Sequence, residues 1–274
     1  MSDTFYKTQG LRIRHRILEM VAAADRGHIP SAFSIVEILL VLYYKILKLS
    51  PETANAADRD RLILSKGHGC LALYAVLSDR GFFSSDHCAH FCRLTGLLGG
   101  HPEHHIPGVE ASTGALGHGL SLGMGIALNA RIDQLDYRTY VILGDGECNE
   151  GSIWEAALSA SKHQLRNLVV LIDYNKMQSY DRVEHVLPLE PLADKWRAFG
   201  FDTHELDMQH PEALTTLLQP HQTQGLQGQP LAIICHTIKG KGIHEIENQA
   251  AWHHKARFKA GDIERLKAAL EAEA

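Results

Sequence analysis

A chain of 274 residues with 27 Lys and Arg against 32 Asp and Glu, a formal charge of -5, can bury a substantial core, and its basic residues are too scattered to form a nucleic-acid footprint. The most apolar run, IVEILLVLYYKIL, carries Glu37 and Lys45 and is too short and interrupted to span a bilayer, so no membrane partner is expected. The opening MSDTFYKTQG lacks the apolar stretch of a secretion signal, and five dispersed cysteines make no disulfide framework, which together point to a cytoplasmic protein with reduced thiols.

In chain order, helical periodicity is expected at about 9–24 and 34–47, then a short apolar strand RLIL at 61–64 and a helix at 69–80. Gly and Pro punctuation marks a loop at 99–108, followed by a helix at 114–132, the strand TYVILG at 139–144, a helix at 150–164 and the strand LVVLID at 168–173. A second loop at 225–230 precedes the strand LAIICHT at 231–237, and an Ala, Glu and Lys-rich helix occupies 260–274. Strands this apolar are buried on both faces. The expectation is therefore one α/β domain over residues 1–274, a parallel sheet with helices on both faces and a short helical tail, without internal repeats. One window, with Cys88, Cys92, His87, His90, His101, His104 and His105, invites a zinc reading. Against it, Cys88 and Cys92 stand four apart on an expected helix, without a tight CxxC knuckle, where a thiol more often serves as a small buried hydrophobe.

The segment 139–178 reads as one βαβ unit, in which the crossover helix lays two parallel strands side by side. Asp145, in the loop after the first strand, and Asn175, after the second, then meet at one edge although thirty positions apart. Gly144 and Gly146 allow close approach to the backbone, and the helix that follows turns bare N–H groups toward the same crevice, a setting that attracts phosphate. An aspartate there would repel a phosphate unless a cation stood between them. Mg2+ meets that need, because it takes few oxygen ligands from protein and the rest from phosphate and water. GDG alone is also an ordinary turn; the paired strand ends are what add weight to the clamp.

At this point the sequence resembles a known family. GDGECNEG with LIDYNKMQ looks like the thiamine diphosphate motif, and the chain resembles the N-terminal, diphosphate-binding part of transketolase. DRGHIPSAFSIVEIL, DRLILSKGHGCLALYAVL, GGHPE, STGALGHGLSLGMGIAL, and TIKGKGI followed by AWHHKA fall in the family's order, so the resemblance covers about residues 10–258. It implies the thiamine diphosphate-binding fold, with thiamine diphosphate and Mg2+ as cofactors and Ca2+ or Mn2+ as substitutes. Asp145, Asn175 and the carbonyl of Met177 match the metal ligands, and Gly146 lies beside the diphosphate. His68 matches a histidine on the diphosphate, and Gly114 and Leu116 match positions lining the cofactor, with Lys66 and Lys239 as its neighbours. Glu150 matches an acid linking paired active sites, although by itself it reads as an acid at a helix start. His28, His101 and His253 match histidines facing the sugars, and imidazole suits proton transfer near neutral pH. His254 stands where the family pattern has glycine. With 18 histidines in the chain, His104, His105, His163, His210 and His221 are read as surface or satisfied interior residues.

The resemblance also implies a partner. Transketolases of usual length continue into a domain that holds the aminopyrimidine and carries its activating glutamate, and nothing in these residues matches that glutamate. The expectation is an N-terminal subunit of a split transketolase, acting on sugar phosphates and completed by a C-terminal subunit with the pyrimidine-binding domain in an α2β2 assembly. The alternatives are an α-type subunit of a 2-oxo acid dehydrogenase, which lacks the histidines of RGHIP and GGHPE, and a non-catalytic scaffold, which would not need Asp145, Asn175 and His68 intact. Nicotinamide binding fails because GALGHGLSLG lacks the glycine spacing and the following acid.

Overall fold

The computed structural model of the protein describes residues 3–253, 255 and 257–273. It begins with α1 (Asp3–Ala24), α2 (Ile29–Phe33) and α3 (Val36–Val41), then β1 (Arg61–Leu64) and α4 (Cys70–Asp79). α5 (Gly119–Ile132), β2 (Thr139–Gly144), α6 (Gly151–Lys162) and β3 (Leu168–Tyr174) form the central unit. α7 (Val183–Val186), α8 (Leu192–Ala198), β4 (Asp202–Asp207), α9 (Glu212–His221), β5 (Leu231–His236) and α10 (Asp262–Ala272) complete the chain. The strands make one sheet in the order β1-β2-β3-β5-β4, parallel at every pairing.

Side chains alternate across the sheet, and each face carries its own core. Val169 and Leu171 of β3 pack with Tyr140, Ile142 and Ile233 against α1, α3, α4, α9 and α10. Val170 and Ile172 pack with Val141, Leu143 and Ile234 against α5, α6 and α8. Burial on both sides explains why these strands read as unbroken apolar runs. Residues 29–46 are apolar enough by length and composition to cross a bilayer, yet 89% of that stretch is buried in the fold, so its apolarity serves the core.

The structure corrects the expected elements at several points. The helix expected from residue 114 starts at Gly119, because Gly114 (φ 137°) and Gly117 (φ 84°) adopt left-handed backbone that no α-helix contains. The helix expected over 34–47 is the α-helical α3 followed by a π-helical turn at Leu42–Ile46. Cys88 and Cys92 do not share a helix: Cys88 lies in a 3-10 segment, Ser85–His90, and Cys92 follows it at φ 55°. Among the described residues no three His, Cys, Asp or Glu side chains converge as a metal-binding group. β4, DTHELD, has no apolar run because it is an edge strand paired only to β5.

Two outcomes are expected from this packing. A Cβ at Gly123 of α5 would stand 2.4 Å from Cγ2 of Val141 on β2, so Gly123→Ala should lower stability by about 1 to 3 kcal/mol despite the better helix former. A urea midpoint shifted downward with unchanged slope is the readout, and a midpoint at or above wild type contradicts the close approach. The second concerns His221 at the end of α9, whose backbone carbonyl accepts from Nε of buried Arg138 at 3.0 Å. Burial, and then the charges of Arg138 and Arg166, push its imidazole down to about 4. The unfolded chain takes up that proton near pH 6.5, so the stabilisation is complete above that pH and is lost as pH falls toward 4. Denaturation at a series of pH values should show His221→Leu losing less stability over this window than wild type, by about 3 kcal/mol at most.

Candidate active site

β1, β2, β3 and β5 all release their loops at the same carboxyl edge, and these loops supply the site. β1 runs into Lys66 and His68, β2 into Asp145, β3 into Asn175, and β5 into Thr237 and Lys239. The register places Gly144 opposite Asp173, which brings the tips after β2 and β3 together.

Beneath the tips lies a buried ion pair between Lys66 Nζ and Asp173. The Asp173 carboxylate also accepts from Ser34 Oγ at 2.7 Å, from Asn175 Nδ2 at 2.9 Å and from Thr237 Oγ1. Burial alone would raise its pKa; the Lys66 charge and these hydrogen bonds outweigh burial and leave it below the ordinary range. By accepting from the amide nitrogen of Asn175, Asp173 fixes which way that side chain faces, and Asn175 Oδ1 accepts from Met177 N at 3.0 Å.

Asp145 is buried, and its two oxygens accept from the backbone amides of Gly146 at 2.7 Å and Lys176 at 2.6 Å. Burial first, and the nearby Asp173 second, push its pKa up. The carbonyl of Met177 accepts from Lys239 Nζ at 2.9 Å, which leaves one lone pair. Burial and the neighbouring Lys66 charge hold the Lys239 ammonium below the usual lysine range. Carboxylate, amide oxygen and carbonyl make a hard-oxygen donor set, and a divalent cation among them would relieve the crowding of Asp145 and Asp173. The residues present fit such an ion.

Three imidazoles stand above this floor. The ring centroids of His28 and His68 are 5.8 Å apart, and both lie 5.7 Å from that of His253. His28 Nδ1 is 2.8 Å from the carbonyl oxygen of His253, which ties the start of α2 to the segment after β5. Burial, then the charge of Lys66, pushes the His68 pKa well down, so this imidazole is neutral near pH 7. His101 is exposed over Gly114, where a Cβ would come within 2.8 Å of its Cδ2, and Tyr74 donates its hydroxyl to the His101 carbonyl at 2.6 Å. His254 lies outside the described residues.

A cavity of about 390 Å³ gathers these groups. His28, Lys66, His68, His101, Gly114 and Leu116 line it from the N-terminal half. Asp145, Gly146, Glu150, Asn175, Met177, Lys239 and His253 line it from the rest, so every residue that the resemblance matched to the cofactor, metal or sugars reaches one space. Glu150 and Leu116 sit exposed at its rim.

Sequence reasoning missed Glu147 and Asp173. Glu147 is buried; its Oε1 accepts from Gly117 N at 2.9 Å and from Ser65 Oγ, and its Oε2 accepts from Gly144 N at 3.1 Å. One carboxylate thus joins the loops after β1 and β2 to the loop before α5. These donors and the charge of Lys66 offset its own charge, and burial outweighs them and raises the pKa. The available signal was a second acid directly after GDG; for Asp173 it was an acid closing an otherwise apolar strand.

Such a cavity at the carboxyl edge of a parallel sheet, with hard oxygens opposed to imidazoles, has the form of a cofactor-binding cleft. Residues 8–274 match the family model described as transketolase, thiamine diphosphate binding domain. The chain belongs to the transketolase family, as an N-terminal subunit of the kind that carries this domain. It is 40% identical to one of the subunits of the apulose-4-phosphate transketolase of Phocaeicola vulgatus, over 90% of this chain and 87% of that one. It is 39% identical to the 6-deoxy-6-sulfo-D-fructose transketolase subunit SqwG of a Clostridium species, over 88% of each. The solved transketolase of Leishmania mexicana superposes with a TM-score of 0.86 at 27% identity, covering 99% of this chain and 41% of that one. The chain therefore spans about two fifths of that enzyme.

Glu147 yields a test of the loop arrangement. Glu147→Gln turns an NH2 toward the Gly144 amide and should lower stability by about 1 to 2 kcal/mol, whereas Glu147→Ala strands all three donors and should lose more. Urea denaturation of the two variants checks the order; a glutamine variant as stable as wild type contradicts the arrangement.

Proposed function

We propose that this chain is the diphosphate-binding half of a heteromeric transketolase that moves a two-carbon ketol unit from a ketose to an aldose. A second polypeptide with the pyrimidine-binding domain completes each site, in an α2β2 assembly working in the cytoplasm. The observation that carries the reading is the single cavity in which cation-binding oxygens face His28, His68, His101 and His253. Support comes from relatives of similar length that are named as transketolase subunits. Those two relatives are named for a phosphate-bearing and a sulfo-bearing sugar, so the proposed substrate is a sugar ending in a tetrahedral oxyanion.

In this reading Asp145, Asn175 and the Met177 carbonyl hold Mg2+, or Ca2+ or Mn2+ in its place, against the diphosphate of thiamine diphosphate. Gly146 admits the diphosphate close to the backbone, Gly114 and Leu116 border the cofactor, and Lys66 and Lys239 brace the loops around it. The bound cofactor supplies the carbon nucleophile that the ketol transfer needs. His68, neutral because of burial and the charges around it, hydrogen-bonds the diphosphate without adding charge. His28, His101 and His253 orient the sugar hydroxyls and exchange protons with their oxygens. Glu150, at the exposed rim, meets the partner.

Assay of the chain with and without its partner, with thiamine diphosphate and Mg2+, tests the proposal. Ketol transfer from a ketose phosphate should require both chains. Turnover of a 2-oxo acid instead would replace this reading with that of a dehydrogenase α-type subunit, and transfer by the chain alone at an ordinary enzyme rate would remove the partner. In the assembled pair, Asp145→Ala should abolish cofactor-dependent activity and Mg2+-dependent cofactor heat in calorimetry. Unchanged Mg2+ dependence would dismiss the clamp.

A further inference from the structure

The LIDYNKMQ motif ends at Gln178, in the turn that follows β3, where the backbone is held on both sides. Gln178 N donates to the Asp181 carbonyl at 2.9 Å, its own carbonyl accepts from Lys239 Nζ at 3.3 Å, and Met177 bridges to Arg182 across the turn. The side chain lies against Gly146: a Cβ there would stand 3.0 Å from Gln178 Cγ and Cδ and 3.4 Å from Nε2. Gln178 also lines the cavity, together with Asp145 and Gly146. Its Nε2 is buried, yet among the described residues it has no hydrogen-bond partner.

A buried donor left unpaired is costly, and such groups are rare for that reason. The oxygens around Gln178 are turned to other donors: Asp145 accepts from the Gly146 and Lys176 amides, Asn175 Oδ1 from Met177 N, and the Met177 carbonyl from Lys239. The acceptor that remains is one brought into the cavity. Gln178 directly follows Met177, whose carbonyl belongs to the hard-oxygen set, and it touches Gly146 rather than any of the imidazoles. An acceptor at that place is an oxygen of whatever the cation holds. The carboxamide is neutral, so it donates there without adding to the repulsion that already loosens the Lys239 proton beside Lys66.

We propose that Gln178 is a further cofactor-binding residue, its Nε2 donating to a diphosphate oxygen of thiamine diphosphate beside Gly146. The inference rests on the proposed cofactor site and adds to it a side chain outside the cation's own ligands. The donor is held in place at a cost to the protein without cofactor, and the diphosphate relieves that cost. A glutamine with a merely structural role behaves in the opposite way, because its loss weakens the fold whether or not cofactor is present.

The test uses the assembled pair and calorimetry of thiamine diphosphate with Mg2+. If the wild-type pair shows no Mg2+-dependent binding, the proposed function itself fails, and not merely the role of Gln178. For Gln178→Met, which keeps the length of the side chain and removes the donor, Kd should rise about ten- to a hundredfold, and inorganic pyrophosphate with Mg2+ should lose potency as a competitor by a similar factor. Gln178→Glu, which sets an acceptor where the donor was, should lose at least as much. Without cofactor, the thermal midpoint of Gln178→Met should equal or exceed that of wild type, while the rise on adding cofactor shrinks. An unchanged Kd in either variant overturns the proposal. A loss for thiamine diphosphate that pyrophosphate does not share also overturns it, since the amide then serves another part of the cofactor. So does a midpoint that falls in Gln178→Met without cofactor, which makes Gln178 a structural residue.

Discussion

The buried pair of Lys66 and Asp173 is the interaction on which the site depends. A buried ion pair seldom adds much net stability, because desolvation of the two charges offsets most of their attraction. What the pair supplies is position. Asp173 sits at the end of the central strand and collects donors from Lys66, Ser34, Thr237 and Asn175, which belong to four separate segments. Each segment carries a group of the cavity nearby: Ser34 follows His28, Lys66 precedes His68, Thr237 precedes Lys239, and Asn175 lies in the cavity itself. One carboxylate thereby sets the relative height of four loops. Replacing it with an apolar residue would satisfy the sheet and release the loops.

The same carboxylate shapes the electrostatics of its neighbour Asp145. Asp145 lies beside Asp173 across two paired strands; Lys66 and its hydrogen bonds compensate Asp173, whereas burial and the charge of Asp173 push the Asp145 pKa up. Lys66 is committed to Asp173, and Lys239 donates to the Met177 and Gln178 carbonyls. Two lysines confined together repel, which is part of why Lys239 holds its proton less firmly. In the proposed function, a divalent ion held by Asp145, Asn175 and the Met177 carbonyl would resolve the imbalance, and a diphosphate would complete the charge. The floor's oxygen donors suit a cation rather than a bare anion.

Much of this was legible in the sequence because the chemistry sits at strand ends. RLIL and TYVILG fall on observed strands without a shift, and LVVLID and LAIICHT miss by one residue, since strands buried on both faces announce themselves by unbroken apolar runs. Asp145 and Asn175 could be paired because a crossover helix between parallel strands leaves little topological freedom. β4 escaped because an edge strand with one buried face can be polar along most of its length. α5 was started too early because GALGHG is apolar enough to mimic a helix, while its glycines serve left-handed backbone that turns into the cavity. Glu147 and Asp173 escaped for a different reason. Their importance lies in partners remote in sequence, such as Ser65 and Gly117 for Glu147 and Ser34 for Asp173, and no local pattern encodes those meetings.

Burial sorts the cavity into two tiers that answer to different demands. Lys66, Asp145, Asn175 and Lys239 are buried and locked by backbone or buried partners, so they hold one geometry whatever sugar is present. His28 and His68 are half-buried, and His101 is exposed, on loops rather than on the sheet. A rigid lower tier suits a cofactor that must be held identically in every turnover, because small displacements of reacting groups slow chemistry severely. A looser upper tier suits substrates whose far ends vary, since a loop can exchange a side chain without disturbing the sheet beneath it. The Lys66 and Asp173 pair lies at the boundary between the tiers: it fastens the segment that leads into His68, whereas the exposed His101 stands on a loop it does not touch.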